Sequence, residues 1–254
     1  MRLAIMQPYF FPYLGYFQLI AAVDKFILYD NLNYIKKGWM HRNRILHKGQ
    51  APLWINVPVA GRSSFAKIRD VVVAQPGKWA AVLRKQLYLN YCKAAYYPEV
   101  TALLDQALPA LAPRLVDVNV AVIRAVAAYL GLATDLSADS IRYDAFEAEV
   151  AQHGEGVLAH YQPDFAAPDV KTLRSLFICR QEGATAFINA IGGRALYDKA
   201  VFARHGVALS FVQTTFRPYP QNCADFVPGL SIIDVLMHCG RDGTRQLLND
   251  YTLV

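Results

Sequence analysis

Apolar positions along this chain fall into short runs separated by turn residues, a pattern of alternating strands and helices. Arg2 to Met6 is a compact apolar run followed by Pro8 and predicts a buried strand. Gly15 to Val23 carries Phe17, Leu19, Ile20 and Val23 on one helical face and stops at Asp24, and Lys25 to Tyr29 predicts a second strand ending at Asp30. Strand, loop, helix and strand within about thirty residues have the size of a βαβ unit. Leu53 to Val59 and Ile68 to Val73 read as strands and Lys78 to Tyr91 as a helix. A break at Tyr96, Tyr97 and Pro98 precedes a helix through Leu111. Pro113 to Leu130 contains a strong helix, with Gly131 as its C′ glycine. A second alternation follows: helix Lys171 to Glu182, strand Ala184 to Ala190, helix Ala195 to His205, strand Val207 to Val212. From Phe216 the chain is irregular until Ser231, which with Asp234 three residues on has the spacing of a capping box opening a last helix.

The expected fold class is therefore α/β, a parallel-sheet, Rossmann-like core with additional helices. With 254 residues, 54% hydrophobic and 18% charged, the chain can bury a full core, which excludes a disordered protein. We read residues 1–254 as a single domain, with the more polar and less periodic stretch 134–167 as a lid or linker. No run of eighteen uncharged apolar residues occurs, so no membrane span is expected, and we read no signal peptide. Cys92, Cys179, Cys223 and Cys239 form no CxxC pair and read as reduced thiols of a cytoplasmic protein. Charge is unevenly placed. Residues 1–100 hold fourteen Lys and Arg against four Asp and Glu, residues 101–254 hold twelve against sixteen, and between Asp30 and Asp70 there are eight bases and no acid. Such asymmetry points to an anionic partner at the N-terminal half: a nucleotide, a sugar nucleotide, RNA or a lipid headgroup.

Three segments can carry chemistry. In IMQPYFFPYLGYFQLI a proline–aromatic loop separates a strand from a helix opened by Gly15, which puts backbone N–H groups where a phosphate can sit. Tyr9, Phe10, Tyr13 and Tyr16 can stack on a base or sugar, or plug the core. Tyr13-Leu14-Gly15-Tyr16 also has the form of a degenerate HxGH nucleotidylyltransferase fingerprint with both histidines replaced by tyrosine, and a neutral phenol cannot supply imidazolium charge. In the second segment, DNLNYIKKGWMHRNRI, Lys36, Lys37, Arg42 and Arg44 surround Trp39 and can hold phosphate. Its acid Asp30 and imidazole His41 are the candidate general base and proton carrier. The third, NAIGGRALYD, places Gly192, Gly193 and Arg194 between a strand and a helix. Walker A, GxSxG, HExxH and GxGxxG are absent, and no cysteine has metal-ligand spacing, so no zinc site is expected.

MQPYFFPYLGYFQLI, DKFILYD and KKGWMHRNRI together resemble the WbqC-like protein family, and WINVPV, LYLNYCKAAYYPEV, INAIGGRALYD and LSIIDVLMHCG extend the resemblance over nearly the whole chain. The resemblance implies a bacterial protein associated with genes for O-antigen and other surface polysaccharides. From its motifs Gln7, Tyr9, Asp30, Lys37, Arg42 and Asn43 are carried over as positions lining a site. The expected function is a transferase that acylates or aminoacylates the amino group of a nucleotide-linked amino sugar, with acyl-CoA, ATP and an amino acid, or aminoacyl-tRNA as the donor. Two alternatives stand beside it: an ATP-dependent nucleotidyltransferase-like enzyme, and a non-catalytic nucleotide-sugar-binding module, with RNA binding as a variant.

Overall fold

The computed structural model describes residues 1–48, 51–61, 63, 65–108 and 112–254. In chain order the elements are β1 (Arg2–Met6), α1 (Leu14–Ala21), β2 (Lys25–Leu28), β3 (Arg42–His47), β4 (Ala51–Asn56), α2 (Pro76–Tyr91), α3 (Tyr97–Ala107), α4 (Leu115–Tyr129) and β5 (Asp135–Ser137). They continue with α5 (Asp144–His153), α6 (Val157–Phe165), α7 (Val170–Glu182), β6 (Ala186–Ala190), α8 (Lys199–Arg204), β7 (Ala208–Thr214), α9 (Ile232–Leu247) and β8 (Tyr251–Leu253). Among the described residues the main sheet has the order β5-β2-β1-β6-β7-β8. Its strands are parallel up to β7, and β8 runs antiparallel at the edge. This is the α/β, Rossmann-like architecture expected.

Period-two alternation explains why the strands read as unbroken apolar runs. Ala4, Phe26, Leu28, Ile188 and Val212 point to a core shared with α1, α2, α3, α4 and α9. Their neighbours Leu3, Ile27, Phe187 and Phe211 point to a second core under α5, α6, α7 and α8. A sheet buried on both faces has no polar side to alternate with.

Several expectations need correction. Ile68 to Val73 is not a strand: Ile68–Asp70 is a 3-10 turn, and Val72 and Val73 make only isolated bridges. The strand expected to reach Val59 ends at Asn56 and forms the separate hairpin β3–β4. The helix expected through Leu111 ends at Ala107, and residues 109–111 lie outside the described residues. The helix expected over 195–205 is two pieces, a 3-10 stretch Ile191–Leu196 and then α8, because the Asp198 carboxylate accepts from Ala200 N–H and restarts the helix. Residues 134–167, read from the sequence as a lid or linker, supply the edge strand β5, α5 and α6. Ser231 does cap α9, accepting from Ile233 N–H at 3.3 Å, but Asp234 does not reach back to close a capping box. Its carboxylate accepts instead from the hydroxyls of Tyr91 and Tyr219 and the amide of Gln221.

Candidate functional site

The order in which strands are laid down across the sheet reverses between the parallel neighbours β1 and β6. From β1 the connection runs outward to β2, and from β6 it runs the other way to β7. Open α/β sheets bind ligands in the crevice at such a point, beyond the carboxyl ends of the strands. A cavity of about 720 Å³ lies there, lined by Met6 and Gln7 at the end of β1 and by Asn189, Ala190, Gly192 and Gly193 at the end of β6. That volume is in the range of small-molecule sites.

The proline–aromatic loop forms one wall, and buried amides fix its backbone. Asn119 Nδ2 donates to the carbonyls of Pro8 (2.8 Å) and Met40 (2.7 Å). Asn43 Nδ2 donates to those of Phe10 and Phe11 (2.6 Å to the latter), and the Ser231 hydroxyl also donates to Phe11. The loop therefore presents Tyr9, Pro12 and Tyr13 to the cavity from a rigid frame. Gly15 is required just behind it, because a Cβ there would run into the Tyr13 ring and Thr214 Oγ1. Opposite stands α7, whose N-terminus is capped by Asp169 accepting from Thr172 N–H at 2.7 Å. Its spacing turns Lys171, Arg174, Ser175 and Ile178 toward the cavity. Trp39 and Arg44 come from the basic segment, and Phe216 and Gly229 from the irregular stretch before α9.

The lining contains three cations, Arg44, Lys171 and Arg174, and no Asp or Glu. Arg174 is paired with buried Glu147 at 2.5 Å, and Glu147 also accepts from the Tyr29 hydroxyl at 2.5 Å. Among the described residues neither Arg44 nor Lys171 has an acid within ion-pair distance, and Arg44 Nε is buried with no hydrogen-bond partner. Burial raises the Tyr9 and Tyr13 phenols above the usual tyrosine range. Burial also raises Tyr197, against the opposing pull of its contact with Ser175 (3.2 Å between hydroxyls) and of the Arg174 charge. The phenols thus stay neutral donors at neutral pH, and the cavity's net field is positive. An anion with an apolar portion fits this chemistry, since both its charge and its flat or hydrocarbon parts find partners.

Of the residues singled out in the sequence, Gln7, Tyr9, Tyr13, Trp39, Asn43, Arg44, Gly192 and Gly193 line this cavity. Tyr16 does not: it is fully buried behind the loop and donates to the Gln7 carbonyl at 2.9 Å. Of the two tyrosines in the HxGH-like positions, only Tyr13 meets the cavity. Lys36, Lys37 and Arg194 are exposed and lie outside the lining, and Arg42 stacks over Trp54 while donating to the Lys37 carbonyl. The pair expected to do proton transfer is also placed elsewhere. Asp30 is buried and accepts from the Ser140 hydroxyl, and burial raises its carboxyl against the pull of Ser140 and Arg69. His41 is buried with Nδ1 2.7 Å from the Tyr34 hydroxyl. Neither lines the cavity. Lys171, Arg174 and Ser175 were missed, and their one sequence signal is Lys171 and Arg174 three apart just after the cap Asp169, on a helix whose other residues read as ordinary core. Asn189 and Tyr197 fall inside the NAIGGRALYD segment but were not singled out within it.

Among the described residues no helix is long and apolar enough to cross a membrane, and no group of three or more His, Cys, Asp or Glu is placed to hold a metal ion. No solved structure matches the chain at a significant level. A protein of Mycobacterium tuberculosis (strain ATCC 25618 / H37Rv), named "Uncharacterized protein Rv1507c", is 31% identical over 249 residues, which is 97% of each chain. The model of the WbqC-like protein family matches residues 7–246, from the first cavity residues through most of α9. By that match and that full-length relative, the chain belongs to the WbqC-like protein family.

Proposed function

We propose that this protein is a transferase that holds a nucleotide-linked amino sugar in the switch-point cavity and acylates or aminoacylates its amino group. The observation that carries the reading is the acid-free lining, with Arg44 and Lys171 available to a diphosphate and with aromatic walls for the rest of the ligand. In the reaction the amine nitrogen attacks the carbonyl carbon of an activated acyl donor. A C–N bond forms, the bond to the donor's leaving group breaks, and the amine proton passes to solvent or to that leaving group. Acyl-CoA, an acyl adenylate made from ATP, and aminoacyl-tRNA all supply such a carbonyl. The tetrahedral intermediate is an oxyanion, and with Arg44 and Lys171 on the diphosphate the group able to stabilise it here is the backbone of the Gly192–Gly193 turn. The cavity's contribution is alignment and charge rather than a carboxylate base.

The same absence of Asp, Glu and His from the lining favours a second reading, a module that binds the nucleotide-linked sugar without turning it over. The readings separate on product. The purified protein is incubated with UDP- and dTDP-linked amino sugars and each donor class, and the sugar nucleotide is followed by mass spectrometry. An acyl mass increment supports the transferase, and binding without any increment supports the module. Thermal shift reads the shared step: ligand at 100-fold excess over Kd adds about 2.7 kcal/mol, or about 5–10 °C at this size. Arg44→Gln and Lys171→Gln are expected to reduce that shift. Equal shifts from every polyanion, inorganic pyrophosphate included, would overturn both readings.

A further inference from the structure

The β3–β4 hairpin carries a stack of rings and guanidinium groups that no part of the fold requires. Register places Arg44 opposite Trp54 and Arg42 opposite Asn56, so alternation puts Arg42, Arg44 and Trp54 on one face while Asn43, Ile45 and Ile55 are buried on the other. Trp39, from the preceding loop, meets Trp54 with ring centroids 5.7 Å apart and planes 30° apart. Arg42 lies over Trp54 at 4.4 Å, and Arg44 is 5.6 Å from Trp39 and 6.0 Å from Trp54. The indoles remain 39% and 41% exposed, although each could bury more area than almost any other side chain. Among the described residues both arginines keep a buried Nε with no hydrogen-bond partner, and neither has an acid within ion-pair distance. A guanidinium held flat against an indole leaves its N–H edge for phosphate.

Only one end of this stack reaches the cavity: Trp39 and Arg44 line it, and Trp54 and Arg42 stand behind them. A base-sized platform, a phosphate-seeking fork and a cavity for the remainder therefore follow one another.

We propose that Trp39, backed by Trp54, is the nucleobase platform of the cavity, with Arg44 holding the adjoining diphosphate of a nucleoside diphosphate group. This rests on the nucleotide-linked ligand proposed above and assigns which part of it lies at the rim. Stacking on an indole face accepts any base, so selection among nucleotides at this position is weak, and discrimination falls to the sugar deeper in.

The test measures Kd by calorimetry for UDP, ADP and inorganic pyrophosphate, with tryptophan fluorescence as a second readout. Wild type is expected to bind UDP and ADP at least tenfold more tightly than pyrophosphate, with quenching by the nucleotides alone. Trp39→Ala is expected to lose about tenfold or more for UDP and ADP and nothing for pyrophosphate, and Trp39→Phe to recover most of the affinity. Arg44→Gln is expected to weaken all three. If Trp39→Ala leaves the UDP and ADP affinities unchanged, the platform is overturned while the anion-binding cavity stands. If the wild type binds none of the three, the cavity reading falls and takes the platform with it. Binding of an oligonucleotide but not of UDP or ADP would overturn it in favour of a nucleic-acid surface.

Discussion

Asp234 has no exposed surface and, among the described residues, no ion pair, and it holds together four parts of the fold. From α9 its carboxylate accepts from Tyr91 of α2 at 2.6 Å and from Tyr219 at 2.8 Å and Gln221 at 3.0 Å in the irregular stretch that brings Phe216 and Gly229 to the cavity. The Tyr91 hydroxyl in turn accepts from Leu46 N–H of β3 at 3.0 Å. Asp234→Ala strands two buried phenols; Gln221 keeps the Val227 carbonyl and the Tyr219 oxygen as acceptors. At about 1–3 kcal/mol per unsatisfied buried group, the loss is about 2–6 kcal/mol. Asp234→Asn retains one carbonyl acceptor, so one phenol is left and the loss is about 1–3 kcal/mol. Opposing this is the release of a buried charge from its desolvation cost, which can exceed the value of its contacts. Urea unfolding decides the balance, with the midpoint expected to fall and the m value to stay constant. A double-mutant cycle of Asp234→Asn with Tyr219→Phe is expected to show coupling of about 1–2 kcal/mol. A variant Asp234→Asn as stable as wild type, or more so, would refute the reasoning, because the carboxylate would then cost as much as it holds.

Other outcomes follow from single contacts. Gly240 sits inside α9 at φ +61°, ψ −163°, a conformation reserved for glycine, and a Cβ there would lie 2.5 Å from the Tyr96 ring; Gly240→Ala is expected to lose about 2–4 kcal/mol in thermal or urea unfolding. Arg174→Met leaves Glu147 buried without its cation and is expected to cost about 3–5 kcal/mol, with Glu147→Gln added in the same chain recovering part of it. Burial pushes the Cys179 thiol up to about 12 and Cys239 up to about 11, whereas Cys92 is exposed, so a thiol reagent at pH 8 is expected to label Cys92 first and Cys179 only on unfolding. Burial lowers His238 below its ordinary 6.5, against the pull of Asp234. The folded state thus binds fewer protons there, and stability present above about pH 6.5 is lost as pH falls through the lowered value; His238→Gln is expected to flatten that slope.

What the sequence disclosed depended on how local the cause was. β1, α1, β2, α7, β6 and β7 were legible because strands buried on both faces are plain apolar runs, the helices between them show a spacing of about 3.6 residues, and Asp24 closes α1. Ile68–Val73 misled because its β-branched residues answer to partners far away: Ile68 N–H donates to the Leu32 carbonyl and Val73 N–H to that of Pro113. The position of β5 beside β2 could not be read from three mostly polar residues. Half of the cavity was visible as an aromatic and basic cluster close in sequence. The glycine turn after β6 was visible as a second, separate segment, whereas Lys171, Arg174 and Ser175 on α7 are unremarkable until the sheet order brings them opposite Gln7 and Tyr9. Asp30 and His41 drew notice as the acid and imidazole of a basic segment, but hydrogen bonding to Ser140 and Tyr34 gives them buried partners away from the cavity.

The pairing of β1 with β6, Arg2 beside Ala186, also sets when the site comes into being. Contacts between distant parts of a chain form late, after loop closure has been overcome. Phe216 and Gly229 complete the wall that Tyr9 and Tyr13 begin. At ribosomal rates of about 5–20 residues per second, roughly ten to forty seconds separate the emergence of those two ends. Through that interval the segment Tyr9–Tyr16 lacks Ser231, whose hydroxyl holds the Phe11 carbonyl, and for most of it lacks β7 as well. Until Phe216 and Gly229 are in place the cavity wall is incomplete, and mass-action stabilisation by a ligand reaches only the finished molecule.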